Sequence, residues 1–315
     1  MARGTRVGAG WGRVVGVVRA GVLVVGLGWM ASAGAQQIAF TFDDLPAHGP
    51  LPPGETRIDV ANQVIKALKR AHVPPTYGFV NGVGVEQHPE TVAVLAAWRA
   101  AGFPLGNHTW SHMNLNQHSL EQFEQDTQKN EALLQLQMIG ADWHWFRFPF
   151  LAEGDTPAKK MGFRVYLVEH GYRIAGVTMS FADYEWNEPY ARCEAKHEKK
   201  AIAGLERSYL LAADENIGFA REMSKTLYSR DIPYVLLMHI GAFDARMLPR
   251  LLRLYRSRGI TFVTLEEAEK DRFYQYDVDP KLLPGPDMLE GAMAEKHWSL
   301  PPRKDYSAEL AAACK

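Results

Sequence analysis

The chain has 315 residues, of which 47% are hydrophobic, enough to bury a full core as one domain. Its 35 lysines and arginines nearly balance 36 aspartates and glutamates for a net charge of −1, and no basic run is dense enough to argue for nucleic acid or an anionic membrane surface.

Residues 1–35 carry four arginines and no acid, then an apolar run from Ala20 to Met30, then Ala31-Ser32-Ala33-Gly34-Ala35. That is the pattern of a secretory signal peptide cleaved after Ala35. The apolar run is much shorter than the ~20 residues that span a bilayer, so no stable membrane insertion is expected after cleavage. Removing the peptide leaves 31 basic against 36 acidic residues, a charge near −5. Export would place the protein in the periplasm or outside the cell, where Cys193 and Cys314 could pair and pin the C-terminal tail to the body; two unrelated thiols are the alternative.

From Gln37 onward short apolar runs alternate with longer segments of helical period, the pattern of parallel strands joined by crossover helices. Strands are expected at 38–42, 76–80, 104–107, 144–148, 173–179, 234–239 and 261–263. Helices fit between them at 57–71, 91–101, 119–136, 158–170 and 247–257. The helix at 119 opens with Ser-x-x-Gln capping chemistry, and Gly102, Gly171 and Gly259 fall just past helix ends. Residues 180–233 are too long for one crossover and read as a helical excursion, with a helix at 217–229 and the charged run 194–200 as a solvated face. After Asp271 the prolines and scattered charges suggest an extended tail. The fold class is therefore α/β: a distorted (β/α)7 barrel that need not close fully, with a helical insertion. Residues 36–270 form the catalytic domain and 271–315 the C-terminal extension.

Polar residues recur where strands end. Asp43 and Asp44 follow the first strand, His108 and His112 the third, Arg147 the fourth, Asp183 the fifth, and His239 ends the sixth. In a barrel of parallel strands these positions converge on the C-terminal mouth. Two histidines four residues apart on a helical turn would present two imidazoles to one divalent ion. With one carboxylate they make a three-ligand site with open positions for water and substrate, as hydrolytic metal centres need.

Thr41-Phe42-Asp43-Asp44, His108-Thr109-x-x-His112, Arg147-x-Pro149-Phe150, the aromatic-acid segment from Asp183 to Trp186, and Leu237-x-His239 occur in the order of the five motifs of polysaccharide deacetylases, the carbohydrate esterase family 4 group, and over residues 38–263 the chain resembles that family. The resemblance implies Asp43 as general base, Asp44, His108 and His112 as metal ligands, Arg147 as partner of the base, and His239 as general acid. An imidazole beside an acidic partner stays protonated near neutral pH and can donate. Zinc is the default ion for such ligands, with cobalt, nickel and manganese also suited.

The fourth motif departs from the family pattern Asp-x-x-Asp-Trp. In one register Ser180 replaces the first Asp and Tyr184 the Trp, leaving Asp183 to support His239; in the other, anchored on Trp186, Glu185 takes that role. The first is favoured because it needs only an aromatic exchange. Trp143, Trp145, Phe146, Phe148 and Phe150 crowd the third motif, and strand alternation would send about half to the core. Phe150 and Trp186, with Tyr184, are the expected substrate walls. His48, His88, His118, His144, His170, His197 and His297 read as surface or satisfied core groups.

The reading that follows from the resemblance is an exported, metal-dependent hydrolase removing acetyl groups from an N- or O-acetylated glycan. A cyclic amide or imide hydrolase of the same fold, and an inactive glycan-binding protein, are the alternatives.

Overall fold

The computed structural model of the protein describes residues 36–285 and 288–315, with residues 4, 5, 8 and 10 before them. The expected signal peptide lies otherwise outside the described residues.

All seven strands form in the expected order: β1 Gln37–Leu45, β2 Tyr77–Val80, β3 Leu105–Asn107, β4 Trp145–Phe146, β5 Arg173–Ile174, β6 Tyr234–His239 and β7 Thr261–Val263. Every pairing is parallel, in the order β5-β4-β3-β2-β1-β6, with β7 on β1. β1 is longest and almost wholly buried, reading Ile38, Ala39, Phe40, Thr41 and Phe42 without a polar face, as a strand covered on both sides must. The opposite ends of the sheet meet through a bridge between Met179, just after β5, and Leu236 of β6, with Thr178 bonded to Val235 beside it. The sheet is thus a curled, incompletely closed barrel.

Local chemistry explains the crossovers. Thr56 and Ser119 close capping boxes with Asp59 and Gln122, which start the helices Arg57–Arg70 and Leu120–Gln137. Gly102, Gly171 and Gly259 take φ of 82°, 72° and 76° just beyond helix ends, where a side chain would be strained. The excursion before β6 is more regular than expected: Asn187–Ala195 leads into a single 30-residue helix, Lys199–Tyr228, and residues 195–200 between them are exposed.

The C-terminal segment differs from the expectation of an extended tail. It holds the helices Gln275–Val278, Met288–Glu295 and Ser307–Ala312, and Leu289, Met293, Tyr306 and Leu310 are buried in the main core. The gain from burying these apolar residues favours short helices that satisfy their own backbone. A disulfide joins Cys193 to Cys314 and ties this segment to the insertion. Among the described residues no helix is long and apolar enough to cross a membrane.

Candidate active site

Strand register brings the polar residues together. Asp43 of β1 lies directly opposite His239 of β6, and Asn107 of β3 opposite Phe146 of β4, so that Arg147 follows at the same level as His108. Because the strands are parallel, all these residues leave the sheet at one end. They surround a cavity of about 360 Å³ lined by Asp43, Asp44, His48, His108, His112, Phe148, Phe150, Ser180, Tyr184 and His239, among others.

Asp43 and Asp44 share one neighbour and otherwise face different ones. Asp44 takes a left-handed backbone, φ 63°, and His108 Nε2 lies 3.7 Å from Asp43 Oδ2 and 3.6 Å from Asp44 Oδ1. Asp43 is buried against Arg147, whose Nη1 donates to both its oxygens at 3.0 and 3.2 Å. The guanidinium is itself fixed: Nε donates to the Ala175 carbonyl at 2.9 Å, Nη2 to the Thr41 hydroxyl at 3.2 Å, and its plane lies over Phe79. Such a rigid fork aims a carboxylate rather than merely neutralising it.

Asp44 Oδ1 lies 3.6 Å from His108 Nε2 and 3.4 Å from His112 Nε2. This oxygen is buried and has no hydrogen-bond partner, a costly state for a carboxylate unless something else satisfies it. His108 Nδ1 is 2.7 Å from the Arg147 carbonyl, which can only accept, so the proton sits on Nδ1 and the Nε2 lone pair points at Asp44. One carboxylate oxygen and two imidazole nitrogens thus converge as a set that could hold a divalent cation.

The two histidines are not on a helical turn, contrary to the sequence expectation. Thr109 and His112 adopt φ of 59° and 57°, and the segment is an irregular loop. The loop backbone is satisfied from other elements: the Asn107 side-chain oxygen accepts from the Thr109 N–H, the Asp126 carbonyl and carboxylate accept from the Trp110 and Ser111 N–H groups, and the Asn81 amide donates to the His108 and Thr109 carbonyls. These bonds supply the backbone with partners that a helix would have taken. The imidazoles still meet, with ring centroids 4.9 Å apart.

Opposite this set, His239 Nδ1 is 2.9 Å from Asp183 Oδ1, and the His239 backbone N–H donates to Asp183 Oδ2 at 2.7 Å. Burial opposes charge on the ring, but the carboxylate of Asp183, with Asp44 and Asp43 beyond, outweighs it and pushes His239 up to about 10. For Asp44, burial works against ionisation, yet the hydrogen bond from His48 and the charges of His239, His108 and His112 hold it below the usual carboxylate range. His112 moves the other way: burial and the nearby His108 push it down to about 4, against the pull of the two aspartates.

In the fourth motif it is Asp183 that touches His239, whereas the Glu185 carboxyl is pushed up by burial and by Asp305. Phe150 is 63% exposed and its ring lies 4.3 Å from that of His112, while Tyr184 is 44% exposed beside His239. Trp186 does not form a substrate wall. It is 1% exposed, donates to Ser208 Oγ at 3.0 Å and packs on Phe181, Tyr209 and Tyr306. As the largest apolar residue of its turn, it gains more by joining the core than by lining the mouth. Likewise Trp143, Trp145, Phe146 and Phe148 are all buried, because both faces of the sheet are covered: Trp145 packs in the cluster of Tyr77 and Phe79, and Phe146 and Phe148 in the main core.

One site residue was missed. His48, expected to be a bland surface or core group, hydrogen-bonds Asp44 Oδ2 at 2.7 Å and lies with its ring 4.7 Å from that of His239. Its position four residues after Asp44 was the available clue, weakened by the intervening Leu45-Pro46, which argues against a helical turn.

The parallel, partly open barrel is a fold shared with solved structures described as CE4 family. The sequence pattern of the family described as polysaccharide deacetylase matches residues 31–166, a little under half of the chain. Among solved structures, a CE4 family pseudoenzyme from Bacillus anthracis is 14% identical, with 75% of this chain and 66% of that chain covered and a TM-score of 0.51. A mutant CE4 family pseudoenzyme with restored enzymatic activity is 15% identical, with 75% and 68% covered and a TM-score of 0.52. The Xyl-CE4 domain of a multidomain xylanase from the hindgut metagenome of Trinervitermes trinervoides is 18% identical, with 78% and 94% covered and a TM-score of 0.51. These likenesses are of fold. Since the first is a pseudoenzyme, activity has to be argued from the residues of this chain.

Proposed function

We propose that the protein is an exported, metal-dependent deacetylase acting on an acetylated glycan. The observation that carries this reading is the buried Asp44 Oδ1, without a hydrogen-bond partner, facing the Nε2 atoms of His108 and His112. Asp44, His108 and His112 would hold the ion, and zinc suits a donor set of two imidazoles and one carboxylate, as cobalt, nickel and manganese also do. A divalent cation there would polarise the acetyl carbonyl and acidify water.

The remaining chemistry belongs to the protein's own residues. Asp43, aimed by Arg147, accepts the proton of the attacking water. His239, kept protonated by Asp183, delivers a proton to the departing amine or alkoxide. The two groups stand on adjacent strands and enter the reaction in opposite protonation states, as acid–base catalysis requires. Phe150 and Tyr184 offer exposed ring faces at the mouth on which a sugar can stack. The signal-like residues 1–35 and the Cys193–Cys314 disulfide both support export to an oxidising compartment.

Acetate release from acetylated peptidoglycan, chitin oligomers, xylan and an exopolysaccharide tests the proposal, with metal-stripped and zinc-reloaded protein compared. Activity that depends on zinc is the expected result. Zinc bound without acetate release from any substrate would favour glycan binding without turnover, the state suggested by the resemblance in fold to a pseudoenzyme.

A further inference from the structure

The proposed mechanism leaves His48 unused, although it touches both halves of the site. Its Nδ1 lies 2.7 Å from Asp44 Oδ2, the carboxylate oxygen turned away from His108 and His112. A carboxylate can only accept, so the Nδ1–H donates. On its other side the imidazole stands 4.7 Å from the His239 ring and 6.1 Å from that of Tyr184, measured between centroids. The backbone around it is pinned independently: Arg57 Nη1 donates to the His48 carbonyl at 2.9 Å and Nη2 to the Gly49 carbonyl at 2.6 Å. Arg57 is the first residue of a helix closed by a capping box, so the ring is held from a rigid element rather than from a free loop.

We infer that His48 is a positioning residue for the metal centre. By engaging Asp44 Oδ2 it leaves Oδ1 as the oxygen that would face an ion held with His108 and His112. A carboxylate released from this bond is free to rotate about its last torsion, which is broad and roughly two-fold, and so to offer either oxygen or both. Hydrogen-bonded partners of metal ligands set ligand orientation, and their loss typically weakens metal binding ~10–100-fold. The imidazole also limits the room in which His239 can turn, so one side chain fixes the ligand and flanks the acid. His48 is partly exposed.

The inference rests on the metal-centre reading above, and zinc binding separates the two. Zinc dissociation constants would be measured by competition with a chromogenic chelator for the full-length mature protein and for His48→Leu, His48→Ala and His48→Asn. Leucine fills the ring's volume without a donor, whereas the asparagine amide can place an N–H where Nδ1 stood. We expect His48→Leu and His48→Ala to bind roughly 10–100-fold more weakly and His48→Asn to return to within about threefold of wild type. Rescue by asparagine distinguishes positioning from a structural role, and the Leu–Asn pair decides the matter even if the alanine variant misfolds. Wild-type affinity in His48→Leu, or equal loss in Leu and Asn, would overturn the inference while leaving the metal centre standing. A wild-type protein that binds no zinc would overturn both.

Discussion

Replacing Asp183 with asparagine tests the division of labour between acid and base most directly. Asp183 is fully buried and contributes the two largest effects that raise His239, its charge and its hydrogen bond, against a burial cost that would otherwise lower the ring. Moving the imidazole from 6.5 to about 10 corresponds to on the order of 5 kcal/mol between its protonation states. Asparagine removes the charge but keeps the shape and an oxygen able to accept from the backbone N–H of His239. Burial should then dominate, leaving the ring largely neutral at pH 7 and unable to donate. General acid catalysis is commonly worth ~10²–10⁴-fold, so kcat for acetate release should fall by about that factor with KM little changed. Zinc content should be unaffected, since Asp183 does not touch Asp44, His108 or His112 by any hydrogen bond. Steady-state acetate assays and metal analysis on the same preparation give the answer. Wild-type kcat in Asp183→Asn would refute the reasoning and point to Glu185 as the supporting acid.

The same histidine predicts a pH effect on stability. Its folded value of about 10 lies above the unfolded 6.5, so its contribution is complete below about pH 6.5 and disappears as pH rises through 10, and melting temperature of the metal-free protein should fall across that window. His112 acts oppositely: with a folded value of about 4, the unfolded chain binds its proton first, and stability should decline as pH drops from 6.5 toward 4. In Asp183→Asn the alkaline loss should vanish, which thermal melts can show. Phe150→Ala should raise KM for glycan with no loss of stability, whereas Trp186→Ala should cost ~3–5 kcal/mol in denaturant unfolding because Trp186 is core. Reducing the Cys193–Cys314 bond, which spans 121 residues, removes a constraint worth at most about 5 kcal/mol in the chain-entropy account, so reductant should lower the melting temperature; an unchanged melt would show the tail held by packing alone.

The site was legible because parallel strands turn sequence order into spatial proximity. Asp43, His108, Arg147 and His239 each follow or end a strand, and a parallel sheet sends every such position to the same rim. The strand count and order, the capping box at Ser119 and the glycines after helix ends were readable for a similar reason: each depends on chemistry within a few residues. Helix 199–228 was recognised only in its second half, as the charged residues at its start mask the helical period.

What composition and spacing determined, then, was which residues reach the mouth and in what sequence around it. Tertiary structure alone decided how they face one another. His108 is set against both aspartates, Asn81, Asn107 and Asp126 hold the His108–His112 loop out of helix, and Trp186 turns inward onto Tyr209 and Tyr306. His48 joined the site for the same reason: its role depends on where Arg57 pins the turn and where Asp44 aims one oxygen. Local patterns record the propensity of a segment, while the direction of a side chain is set by hydrogen bonds and packing across segments distant in sequence.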